Sequence, residues 1–284
     1  MAEFTEIFTQ LSFLLSDVDT SKYTIAYRGV PDVTWEDVPS LFRNNNLHKE
    51  KMSIEEIIRQ YPDEFSHAHT IDVLTQLQHF GCPTRMLDVT SNILVALFFA
   101  CGGWDMVCNK ESYKSKSNKD GELRVYMVKN EDVKSIDSET VTLLSNIARL
   151  KDEDKFGLLP WLCEKDLGVW QSDEDQIKQN AEDVNSVVLV KTKLNNPRIR
   201  AQYGSFFLFG GLSGLEYYHS MNEMELRGKI VKKHVIPFPS RINRKTIYIP
   251  SHWKEHILEL LDKYMGIRFS TICPEKQDFI KTIM

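Results

Sequence analysis

A chain of 284 residues, 42% apolar and 26% charged, has an ordinary globular composition and enough length for a proper core. Its net charge of −5 gives no overall basic footprint for duplex nucleic acid. Five cysteines without a CxxC pair argue against a disulfide framework or a structural zinc site, and no apolar run reaches a membrane span of roughly 18 residues. The early acids of "MAEFTEIFTQLSFLL" do not suit a signal peptide, so the expectation is a reduced, cytoplasmic protein without a membrane partner.

Taken in chain order, that N-terminal segment has the apolar spacing of an amphipathic helix. "KYTIAYRG" (22–29) alternates as a half-buried strand and stops at a glycine. Ser53 followed by Glu56 is a capping-box pattern, which predicts a helix from 53 to 65. The three-and-four spacing of "TIDVLTQLQHFG" predicts a second helix over 70–81, closed by Gly81. "PTRMLDVT" reads as an extended segment, and "SNILVALFFACG" as a buried helix capped by Thr90 or Ser91.

A lysine- and serine-rich stretch (109–121) reads as a solvated loop, before a strand at 121–128. "KDEDKFGLLPWLCE" reads as irregular helix, and "WQSDEDQIKQNAEDVN" (170–185) as an acidic excursion. Strands are expected at 186–193, 203–210 and 228–238, and a last helix at 251–266 between Ser251 and Gly266. Without regular βαβ alternation this is an α+β chain, read as one domain over 1–284 with a polar loop at 109–121 and an acidic insertion at 151–185. No glycine-rich phosphate loop follows any strand.

Three places combine charge with apolar surroundings. Arg28, at the end of a strand and followed by Gly29, presents a planar fork suited to phosphate or carboxylate; the plainer reading is an arginine paired within the fold. In "LQHFGCPTRMLDVTSNILVALFFAC" (77–101), Arg85 and Asp88 are three apart on an extended segment. They therefore point to opposite faces, and each needs its own partner, from the fold or from a ligand. In "NNPRIRAQYGSFFLF", Arg198, Arg200 and Gln202 alternate before an apolar run, so Arg200 and Gln202 share a face if Gln202 is already on the strand. His67 and His69 with Asp72, and His252 with His256, are more simply exposed side chains than metal ligands.

Together, "AYRGV" (26–30), the block at 77–101 and "NPRIRAQYGSFFLF" (196–209) resemble the FRG-domain family. That family is named for a Phe/Tyr-Arg-Gly motif, here Tyr27-Arg28-Gly29. Its central series is matched by Gln78, His79, Phe80, Gly81, Pro83, Thr84, Arg85, Leu87, Asp88, Thr90 and "ALFFA". Val89 and Ile93 stand where members more often have tryptophan and proline. "GIRFSTICPEKQDFIK" resembles the family's C-terminal segment.

The order of elements also resembles the ADP-ribosyltransferases. This likeness implies a mixed or antiparallel split sheet flanked by helices, with NAD as a substrate and no metal. It implies that Tyr27, Arg28 and Gly29 contact the nucleotide's phosphates or ribose. Thr84, Thr90, Ser91 and Arg198 would complete the nucleotide site; Arg28, His79, Arg85, Asp88 and Gln202 would carry the chemistry, with Arg85 and Asp88 shaping the pocket floor. Gln202 stands where many members have a glutamate, and a neutral amide does not supply its charge; Asp88, or Glu216, Glu223 or Glu225 folding back, would have to. RNA 2′-phosphotransferases keep the fold without that glutamate. The implied partners are a nucleotide and a protein or nucleic-acid acceptor. The alternatives are a non-catalytic module that senses a nucleotide or a nucleic-acid end, and a purely structural domain in which these charges satisfy one another.

Overall fold

Among the described residues, seven strands assemble into one mixed sheet in the order β4-β5-β6-β2-β1-β3-β7. The computed structural model describes residues 1–43, 46, 49–103, 118–150, 186–193, 196–210 and 242–274. The strands are β1 (Tyr23–Val30), β2 (Met86–Thr90), β3 (Gly121–Lys129), β4 (Val133–Ser135), β5 (Val187–Lys191), β6 (Gly204–Phe209) and β7 (Asn243–Ile249). β4 and β5 run parallel; every other pairing is antiparallel. The helices are α1 (Ala2–Leu15), α2 (Lys49–Gln60), α3 (Pro62–Phe65), α4 (Thr70–His79), α5 (Ile93–Ala100), α6 (Glu139–Asn146), α7 (Pro197–Ala201), α8 (Lys254–Met265) and α9 (Phe269–Ile272).

The ladders are uneven. β1 pairs with β3 through eight registered positions and β2 with β6 through five, but β1 and β2 meet at one, Tyr27 with Thr90. The sheet is thus two well-bonded halves joined by a thin seam. Each half has its own helices. Leu123, Val125, Ile247 and Ile249 pack with buried residues of α1, α5 and α8, while Val188, Val190, Phe206 and Leu208 pack with α2, α4 and α6. Intervening positions, such as Leu87, Val89, Tyr126, Phe207 and Phe209, form a third cluster.

Gly29 is a packing glycine. A Cβ placed there would lie 1.8 Å from the carbonyl oxygen of Ala96, so its absence lets the backbone of α5 sit directly on β1. Gly81 (φ +84°) ends α4 and Gly266 (φ +65°) ends α8, both at the predicted stops.

Three boundaries are corrected. α2 begins at Lys49, not at a cap on Ser53, because Glu50 is drawn into the helix by Arg85 and sits one turn before buried Ile54. Glu56 then binds Arg59 and Gln60 within the helix. The cap of α5 is Asn92, whose side chain accepts from the Leu94 N–H at 2.9 Å. Ser251 opens a 3₁₀ turn before α8 and caps nothing with its side chain. The loop at 109–121 lies largely outside the described residues. So do the helical reading at 151–164, the excursion at 170–185, the strand at 228–238, and Glu216, Glu223 and Glu225.

Candidate functional site

The seam is where the polar residues gather. Arg28 leaves β1 and donates from Nη1 to the Asp88 backbone carbonyl on β2 at 2.5 Å, taking the place of a ladder bond where strand pairing is thin. Beside it opens a cavity of about 270 Å³. Tyr27, Arg28 and Gly29 line it from β1, Asp88 and Thr90 from β2, Phe99 from α5, Trp35 from the segment after β1, and Arg198 and Gln202 from α7 and its end.

The last two residues arrive by helical spacing. "NNPRIRAQYG" does not extend into the strand; Pro197 occupies the first turn of α7 and Asn196 caps it, its Oδ1 accepting from the N–H groups of Arg198 (2.8 Å) and Ile199 (3.3 Å). Arg198 and Gln202 are four apart and reach the same cavity, whereas Arg200 is exposed. The expected sharing of a face by Arg200 and Gln202 is therefore corrected: a capped proline start makes the segment helical. Tyr203 then takes a left-handed backbone (φ 50°) to turn the chain into β6. The turn is tied to β2 twice, by Thr90 Oγ1 donating to the Gln202 carbonyl (2.6 Å) and by the Ser91 N–H donating to the Tyr203 carbonyl (3.1 Å).

Asp88 sits at the centre. Gln78 donates from its amide to the Asp88 carboxylate, and Thr84 donates to the Gln78 carbonyl oxygen. The Thr84 hydroxyl thereby fixes which end of the amide faces the acid. Desolvation by the surrounding protein raises the Asp88 pKa above the usual carboxylate value, opposed by Arg28, Arg198 and the Gln78 bond. Asp88 is nonetheless exposed where it opens into the cavity, which moderates the desolvation. A smaller recess of about 70 Å³ adjoins it; Asp88, Val89, Arg198 and Gln202 are common to both, and His79, Gln78, Thr75 and Ser205 line the recess alone.

Other expected site residues lie elsewhere. Arg85 is 1% exposed and lines neither cavity, which corrects its place on the pocket floor. Its guanidinium forks onto the Glu50 carboxylate with two bonds of 2.7 Å and donates to the Phe209 and Gly210 carbonyls. A buried guanidinium demands such pairing. His79 faces the small recess and not the large cavity. Thr84 is buried and acts on Asp88 through Gln78, while Ser91 is exposed and lines neither cavity. The Gln202 amide nitrogen donates to the Ile272 carbonyl (3.1 Å), anchoring α9. His256 meets Glu3, 3.0 Å away.

Sequence reasoning passed over Asp37. This buried carboxylate accepts from Arg124 (Nη1, 2.6 Å) and Arg244 (Nη1, 2.6 Å) and lies 3.9 Å from Arg28 Nε. Burial works to raise its pKa, but Arg124, Arg244 and Tyr126 outweigh burial and hold it below its ordinary value. It also passed over Trp35 and Phe99 as cavity walls and Glu50 as the Arg85 partner. None of these shares a spacing with the residue it meets.

A thin-seamed α+β sheet with an arginine- and acid-lined cavity at the seam is the class of protein defined here. Residues 23–105 match the family model for the FRG domain, and the chain carries that domain over this stretch. The match runs from the start of β1 past the end of α5, so it holds Arg28, Gln78, Thr84, Asp88 and Thr90 but not Arg198 or Gln202. No curated protein and no solved structure matches the chain. Among the described residues, no helix is long and apolar enough to cross a membrane.

Proposed function

We propose that the seam cavity binds a nucleotide, with NAD as the best candidate, and that the protein is an ADP-ribosyltransferase-like enzyme that breaks the nicotinamide–ribose bond. The observation that carries this reading is the convergence of Arg28, Arg198 and Asp88 on one cavity that also has Trp35, Phe99 and Tyr27 in its walls. Guanidiniums suit a pyrophosphate, aromatic side chains suit a flat ring, and a carboxylate suits the positive charge that develops on the ribose. At about 270 Å³ the cavity takes one end of a dinucleotide, just under the usual range of roughly 300–1,000 Å³ for ligand pockets.

In this reading the ribose C1–nitrogen bond breaks and its electron pair neutralises the pyridinium. The acceptor oxygen or nitrogen bonds to C1, and its proton passes to Asp88 or to water. Asp88 replaces the late-strand glutamate whose place Gln202 fills. The fold likeness to ADP-ribosyltransferases belongs to this proposal.

A binding module without turnover is the second reading. What favours it is that Asp88 is already bonded by Gln78 and that the Gln202 amide nitrogen is held by the Ile272 carbonyl. Calorimetric titration with NAD and ADP-ribose, alongside nicotinamide release, tests both in wild type and Arg198→Met. Binding lost on Arg198→Met with the melting curve retained supports the site, and release of nicotinamide then separates enzyme from sensor. Wild type that binds neither ligand ends both readings.

A further inference from the structure

Beside the cavity, and sharing only Arg28 with the machinery just described, positive charge is in surplus. Arg28 and Arg124 are direct register partners on β1 and β3, a like-charge pairing that repels unless an anion stands between them. Asp37 is that anion, and it also accepts from Arg244 on β7. Arg124 has a second acid, Glu122, at 2.8 Å. Arg43 is half-buried within electrostatic range of Arg28, Asp37 and Arg124, and the bond it makes from Nε goes to a neutral group, the Val38 carbonyl at 2.8 Å. Burial, and after it Arg28 and Arg124, push its pKa down, with Asp37 opposing them.

Among the described residues this cluster therefore sets four guanidiniums, Arg28, Arg43, Arg124 and Arg244, against three carboxylates, Asp37, Glu122 and the Asp88 that faces Arg28. Arg28 Nε is buried without a hydrogen-bond acceptor, while Arg244 is half-exposed. A structural network would balance its charges; this one is a negative charge short, and Arg244 is the member that reaches solvent.

We infer that Arg43 and Arg244, together with Arg28, form an anion subsite for a phosphate group, so that the ligand is a nucleotide bearing a phosphate besides its pyrophosphate. The inference rests on the nucleotide reading for the cavity, and Arg28, which belongs to both, joins the two. Arg124 and Asp37 are the scaffold: Asp37 keeps Arg124 when Arg244 is removed, so no buried acid is stranded.

The test compares NAD with its 2′-phosphorylated form, NADP, and with inorganic pyrophosphate and phosphate, by calorimetry at fixed ionic strength. Wild type, Arg43→Met/Arg244→Met and the single variant Arg244→Met are compared, with a melting curve for each. The expected result is a preference of about tenfold or more for NADP over NAD, the size of a charge-assisted hydrogen bond or two. The double variant loses that preference and its affinity for inorganic phosphate but still binds NAD through the cavity; Arg244→Met, altered at a half-exposed side chain, loses part of both. If NAD binds with no preference for NADP, and inorganic phosphate binding ignores the substitutions, the subsite is overturned and the cavity reading stands. If no dinucleotide binds but inorganic phosphate binds in an Arg43- and Arg244-dependent way, the cavity reading falls and the anion site survives. Binding of neither ends both.

Discussion

At the scale of the residue, Asp88 joins chemistry to stability with opposite signs. Its pKa is raised in the folded protein, so between the ordinary aspartate value of about 3.9 and that raised value the folded state holds more protons than the unfolded one. Stability is therefore greatest below this window and declines as pH rises through it. If the proposed nicotinamide release uses the ionised carboxylate, its rate rises over the same window. Asp88→Asn should flatten this part of the stability profile and abolish nicotinamide release; urea melts across pH 4 to 7 read the first. A variant that keeps the wild-type slope would show that another group titrates there. Arg85, three residues earlier, behaves differently: its fork is filled by Glu50 and two carbonyls. The sequence announced that both charges needed partners, but not which was satisfied inside the fold, because Glu50 lies 35 residues away with no periodic relation to it.

At the scale of the element, the contact of α5 with β1 turns on Gly29. An added methyl group would overlap the Ala96 carbonyl and the Ala100 backbone nitrogen, neither of which can rotate away. Gly29→Ala should destabilise the protein by about 1–3 kcal/mol or more, the range for overpacking, and a fall in melting temperature together with loss of nucleotide binding is the expected readout. A variant as stable as wild type would mean that α5 shifts to make room. Strands β1, β2, β3, β5 and β6 and helices α1, α4, α5 and α8 were legible because alternation, three-and-four spacing and terminal glycines are local signals. α7 was misread because a five-residue helix has too few positions to show a period, although Asn196-Pro197 was its start signal. β4 is three residues long, and β7 is exposed at five of seven positions; neither carries an apolar pattern to read.

At the scale of the whole molecule, the candidate site joins parts distant in sequence. Arg28, Asp88, Arg198 and Gln202 come from three separate stretches, and motif likeness grouped them before any geometry did. The Asp37 cluster has no such motif, and it stayed hidden until the sheet placed β1, β3 and β7 side by side. The seam between β1 and β2 has a mechanical consequence. With one registered pair and the Arg28–Asp88 carbonyl bond as the backbone links, and Leu87, Tyr126 and Phe207 packed across behind them, the sheet resembles two plates on a shared apolar pad, held at the seam by a clasp. A ligand gripped by Arg28 from one plate and Arg198 from the other would act as a second clasp, so its first physical effect would be to stiffen the protein before any bond is broken. Amide hydrogen exchange along β1 and β2 is expected to slow on adding ADP-ribose, while the β1–β3 ladder changes little. Uniform slowing would show instead that the two plates already move as one.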